Sequence, residues 1–130
     1  EYRGNLYNFS MALIKFKQKK YDESLSFAGK IEQKHIIFKL DAKNIISKIY
    51  YETGSHENLL ALLDTYKQMI LNNAIKNEAI GKSQLGFVEF LKKIVLADKN
   101  ETEDIRNNIN KTAFLNSREW LLEKISELEK

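Results

Sequence analysis

No proline occurs anywhere in this 130-residue chain. Proline fixes its own φ, removes a backbone donor and ends or kinks helices, so a chain without it can pass from helix to turn to helix with only glycine and polar residues marking the stops. The choice between helix and strand then falls to the apolar residues. They recur at three- and four-residue steps nearly throughout, and no stretch sustains the alternation of β-branched and polar residues that a half-buried strand requires. The chain is expected to be all-α.

About seven helices are expected from this periodicity. Leu6, Phe9, Leu13 and Phe16, with Met11 and Ile14 beside them, form the stripe of a first helix over Asn5 to Gln18. Asp22 is placed to cap a second with Leu25, Ala28 and Ile31 inward, and a third carries Ile45, Ile46, Ile49 and Tyr50 up to a stop at Gly54. Ser55 is expected to cap the fourth, which holds Leu59, Leu60, Leu63, Tyr66 and Ile70 and ends near Asn72 and Asn73. A longer fifth helix opens at Asn77, a short sixth follows Thr102 with acids in its first turn, and Asn116 caps a seventh that begins with Trp120 beside Leu121 and Leu122. The lone Trp reads as a plug closing the final helix pair.

Two of the expected helix pairs say the same thing in different letters. An offset of 35 residues carries Ala12 onto Ser47, Ile14 onto Ile49, Phe16 onto Tyr51, Tyr21 onto His56, Leu25 onto Leu60, Phe27 onto Leu62 and Ala28 onto Leu63. Character is kept where identity is not. Packing explains this: the first helix of each pair must present a small residue where its partner crosses, and the second must offer an apolar stripe to its neighbours.

A helix–turn–helix period of this size resembles the tetratricopeptide repeat, over Asn5 to about Asn73. The likeness rests on "YDESL" at Tyr21 to Leu25, on small Ala12 and Ser47 at the close crossing, and on "YYETG" at Tyr50 to Gly54. The chain departs from the family in lacking the proline between repeats, in Lys19 where the first unit would have glycine, and in Leu59 where Ser24 is small. The resemblance implies one tetratricopeptide-like domain over 1–130, a right-handed stack of antiparallel helix pairs. It would comprise two repeat-like pairs in 5–73, then a degenerate pair and a closing helix in 77–130. The ending resembles the C-terminal part of larger bacterial proteins of this kind, and the missing initiator Met fits a piece of a longer chain.

In that family the first helix of each pair lines a concave groove. Carried over through the 35-residue alignment, this selects Phe9, Leu13, Phe16 and Lys17 from the first unit, and Asn44, Lys48, Tyr51 and Glu52 from the second. An apolar patch beside lysines suits an extended or helical peptide with acidic character. The competing reading is that Phe9, Leu13 and Phe16 pack against a preceding helix.

Charge offers an alternative partner. The net +3 is front-loaded, since basic residues outnumber acids in 1–50 and acids outnumber bases in 101–130. Lys15, Lys17, Lys19, Lys20, Lys30 and Lys34 could meet nucleic acid or another acidic surface. No arginine-rich or aromatic-interleaved motif accompanies them, and lysines near a helix end also complement its dipole.

Catalysis finds few candidates. There is no cysteine, which rules out disulfides and thiolate metal sites and fits a reducing, cytoplasmic location. His35 and His56 have no ligand partner at metal spacing, and the five glycines are too scattered to form a phosphate loop. No cofactor, metal or catalytic residue is expected, and no segment is apolar enough to span a membrane. The expectation is a non-enzymatic scaffold that binds a protein or peptide.

Overall fold

The computed structural model describes residues 2–73 and 78–130. Among them the chain is all-helical, with seven α-helices, one 3-10 turn and no strand. The order is α1 (Tyr2–Lys17), α2 (Tyr21–Gly29), α3 (Ile36–Glu52), α4 (His56–Asn72), α5 (Glu78–Leu96), the 3-10 turn Lys99–Glu101, α6 (Thr102–Lys111) and α7 (Arg118–Leu128). The expected opening of the fifth helix at Asn77 lies outside the described residues.

Two expected caps are displaced. Lys20, not Asp22, is the N-cap of α2, and its carbonyl accepts from Ser24 N–H at 2.9 Å. Asp22 and Glu23 sit in the first turn, where carboxylates complement the positive end of the helix dipole. Ser117, not Asn116, is the N-cap of α7, held in the left-handed region at φ 60°. Asn116 Oδ1 accepts instead from Ser117 Oγ at 2.6 Å, and the Asn116 N–H donates to the Ser83 carbonyl of α5 at 3.3 Å. A contact distant in sequence therefore decides where this helix begins.

Packing divides the chain into two compact units, Glu1–Leu62 and Leu63–Lys130, with the boundary inside α4. In the first unit, α1, α2 and α3 all pack on one another. Ala12 and Ser24 are fully buried, and Ser24 Oγ donates to the Ala12 carbonyl at 2.7 Å, tying α2 to α1. Ala12 and Ala28 form a core with Ile45 and Ile49 of α3, flanked by Phe16, Tyr21, Leu25, Phe27 and Ile46. A second cluster joins Ile31, Phe38 and Ala42, with Phe9 against it. Asn5 is buried and closes the α2–α3 linker, accepting from Glu32 N–H at 2.7 Å and donating to the Glu32 carbonyl at 3.1 Å.

The apolar stripe expected to bury α1 is only partly used. Leu6, Leu13 and Ile14 are exposed, whereas the buried residues of this helix are Asn5 and Ala12. α1 is held through small-residue contact, the rings of Phe9 and Phe16, and side-chain hydrogen bonds to backbone.

The turns after α1 and after α3 make the same hydrogen bonds 35 residues apart. Gln18 N–H donates to Ile14 O at 3.1 Å, Lys19 N–H to Phe16 O at 2.9 Å and Lys20 N–H to Lys15 O at 2.9 Å. Their counterparts are Thr53 to Ile49 at 3.0 Å, Gly54 to Tyr51 at 3.1 Å and Ser55 to Tyr50 at 2.9 Å. Lys19 and Gly54 both take the left-handed conformation, at φ 60° and 74°. This conformation satisfies helix-terminal carbonyls and normally favours glycine.

In the second unit, α5, α6 and α7 pack on one another. Phe87 is fully buried between rings, 6.3 Å from Tyr66 of α4 and 6.2 Å from half-buried Trp120 of α7. The Tyr66 hydroxyl donates to Gln84 Oε1, so a buried polar pair accompanies the apolar packing. Lys124 is buried, with Nζ 5.4 Å from the Trp120 ring centre and paired to Glu127 at 3.0 Å and Glu123 at 3.3 Å. Arg106 of α6 clasps Glu129, donating from Nη1 to Oε2 at 2.7 Å, and Thr102 Oγ1 donates to the same oxygen at 3.0 Å. Arg118 donates to the carbonyls of Ile109 and Thr112 at the C-terminal end of α6, the first of which also accepts from the Thr112 N–H at 3.3 Å.

Candidate functional site

The eight groove residues expected from the sequence all lie in the first unit, four on α1 and four on α3, two helices that touch. Leu13 and Lys17 are exposed. Phe9 and Phe16 are half-buried and belong largely to packing, Phe9 against Ile31, Phe38 and Ala42, and Phe16 against the core around Ala12 and Ile49. Those rings contribute to the unit's own core.

On α3 the four are drawn together. Asn44, Lys48, Tyr51 and Glu52 recur at steps of four, three and one, which puts them on one side of the helix, and all four are half-buried. Asp41, one turn before Asn44 and also half-buried, extends the row. The sequence reading missed Asp41; its spacing was the available clue, because it shares the face of Lys48.

Burial sets the electrostatics of this row. It lowers the Lys48 ammonium from 10.5 to about 8, because a half-dehydrated cation loses favourable solvation. It raises Asp41 above the ordinary carboxylate value for the same reason. Lys43, on the neighbouring side of the helix, is lowered by burial and then by the charge of Lys39.

Tyr51 is also fixed in place. Its ring stacks on His56 across the turn, at 5.7 Å and 25° between planes. Phe16 meets Tyr21 across the equivalent turn at 5.5 Å and 66°. The 35-residue correspondence thus extends to ring pairs, although His56 is exposed where Tyr21 is half-buried. His35 stands at the N-cap of α3, with its ring 6.4 Å from that of Phe38. Among the described residues no group of three or more His, Cys, Asp or Glu could hold a metal ion.

The basic patch is partly committed within the chain. Lys15 pairs with Glu23 at 3.4 Å, Lys34 with Glu32 at 3.1 Å, and Lys30 lies 5.0 Å from the Phe27 ring centre. Lys17, Lys19 and Lys20 are exposed. One feature had no sequence signal at all: a groove of about 690 Å³ in the second unit, whose lining includes Lys67, Lys92 and Lys93, the acids Glu89, Glu101 and Asp104, and apolar Leu96 and Ile105. Its residues come from three helices and the 3-10 turn, and only folding brings them together.

Compared with known proteins, the chain matches no family model, no curated protein and no solved structure. Among the described residues no helix is long and apolar enough to cross a membrane.

Proposed function

We propose that this chain is a tetratricopeptide-like, non-enzymatic interaction module that takes a peptide with acidic character along α3 and the adjoining side of α1. The observation that carries the reading is the row Asn44, Lys48, Tyr51 and Glu52: polar and aromatic groups held half-buried on a 17-residue helix, with the Lys48 ammonium already stripped of part of its water. A carboxylate arriving there meets a cation in a medium of lowered dielectric, where the attraction exceeds that of a fully hydrated surface pair. Leu13 and Lys17 add an exposed apolar contact and a second cation on α1. Tyr51, pinned by His56, supplies a rigid ring that loses little entropy on binding.

The test is a double substitution, Lys48→Glu with Tyr51→Ala. Both side chains are half-buried, so the variant should keep its helical signal while its melting temperature falls somewhat, and affinity for an acidic peptide selected on the wild-type chain should fall at least about tenfold. A variant that unfolds, or one that binds that peptide as tightly as wild type, would place the working surface elsewhere.

A further inference from the structure

α1 carries an unusual share of exposed apolar side chains, and the chain's own second helix pair indicates what belongs there. The relevant face consists of Arg3, Tyr7, Ser10 and Ile14, one turn apart along the helix. The 35-residue correspondence seen in the turn hydrogen bonds carries these onto Phe38, Ala42, Ile45 and Ile49 of α3. There the face is closed: Ala42 is 0 % exposed and Ile49 2 %, in clusters with Ala12, Ala28 and Ile31. On α1 the same positions are open, with Tyr7 60 % exposed and Ile14 47 %. Exposed apolar side chains that recur on one helix face where the equivalent face is covered are the pattern of an interaction site.

We propose that the outer face of α1, centred on Tyr7 and Ile14, docks an amphipathic helix with acidic flanks carried by a partner protein. The occupant is helical because Ile45 and Ile49, on the equivalent face of α3, are covered by Ala12 of α1 and Ala28 of α2, both helical residues. Tyr7 and Ile14 lie seven positions apart, about 10 Å along the axis, so two turns of an apolar stripe suffice. Arg3 and Ser10 replace the apolar residues of α3 and ask for polar groups opposite them. The flanks are acidic because α1 exposes Arg3 near one end and Lys17 at the other and contains no acid, Lys15 being paired with Glu23. A second copy meeting this face with its own α1 would set like charges against each other.

This proposal is centred on Tyr7 and Ile14 and borders the peptide row of α3 only at Lys17, so the two are tested with variants that avoid Lys17 and fail separately. The probes are two synthetic helices of about 18 residues with the same leucine stripe, one flanked by glutamate and one by lysine, titrated into the full chain by fluorescence anisotropy. The glutamate-flanked helix should bind at least about tenfold more tightly than its lysine counterpart. Ile14→Glu and Ser10→Glu, both at exposed positions, should each weaken it about tenfold with the circular dichroism unchanged. If Ile14→Glu disturbs folding, Ser10→Glu alone decides. Lys48→Glu with Tyr51→Ala should leave this binding within about twofold. Equal binding of the two probes, or binding indifferent to Ser10→Glu, would overturn the assignment. So would a wild-type dimer in sedimentation that Ser10→Glu dissociates, since the face would then belong to a second copy.

Discussion

Ser24 Oγ donates a 2.7 Å hydrogen bond to the Ala12 carbonyl at a point where neither residue is exposed. The equivalent positions in the second helix pair are Leu59 and Ser47, also fully buried, and there the hydroxyl has changed sides. Ser47 Oγ donates within its own helix, to the Lys43 carbonyl at 2.7 Å, and Leu59 supplies the bulk. Each pair therefore combines one serine with one apolar residue, and the small side chain can stand on either helix. Ala12→Leu should overpack this site and cost about 1–3 kcal/mol. Ser24→Ala should cost about 1 kcal/mol through the lost buried hydrogen bond. Urea denaturation of both variants checks this, and a change within error at Ala12 would contradict the crossing.

Lys19 and Gly54 make the same turn with unequal suitability. A residue with a Cβ in the left-handed region pays roughly 1–2 kcal/mol that glycine does not, although glycine gives back part of this as greater freedom in the unfolded chain. Lys19→Gly is expected to stabilise the protein by up to about 1 kcal/mol. Gly54→Ala should destabilise it by about 1 kcal/mol, through backbone strain alone, because nothing lies within 4 Å of the added Cβ. Opposite signs in thermal melts are the outcome to look for.

Lys48 gives the protein a pH dependence in the alkaline range. Its folded value, about 8, lies below the ordinary 10.5, so between these two the unfolded chain holds the proton more tightly than the folded one. Stability contributed by this group therefore rises as pH increases from about 8 to 10.5, and is lost as pH falls back through 8. Lys48→Met should remove that rise. Chemical denaturation at a series of pH values measures it, and an NMR titration of the Lys48 side chain should show a midpoint near 8.

Glu129 acts at the other end of the scale. Its hydrogen bond from Arg106 chiefly, helped by Thr102 and by the Arg106 charge, lowers it below the ordinary 4.5 despite some desolvation. Its contribution is present above pH 4.5 and is lost as pH falls through the lowered value. Glu129→Gln should flatten this acid limb of the stability profile and leave the alkaline limb of Lys48 unchanged. Stability curves for the two single variants and the double variant separate the effects.

How much of this was legible beforehand depended on the range of the interactions. Helix content, the positions of most helices and the 35-residue correspondence follow from local rules. Absence of proline, apolar spacing, Gly54 and the acids of first turns act within a few residues of where they stand in the sequence. Periodicity also put Asn44, Lys48, Tyr51 and Glu52 on one side of α3, because a helix has no freedom to place them otherwise.

Burial required the tertiary structure. From the stripe of α1 alone, Leu13 and Phe16 look equivalent, yet one is exposed and the other packs on the core, since the difference lies in which neighbours α2 and α3 bring up. Asn5 reads as a surface residue until the Glu32 backbone, 27 positions away, arrives to satisfy both ends of its amide. Lys19 takes up a glycine's conformation because the turn's hydrogen bonds outweigh its local strain. The lowered Lys48 likewise belongs to no residue by itself: the amino acids determined which groups could pair, and the folded packing decided which of them lost their water.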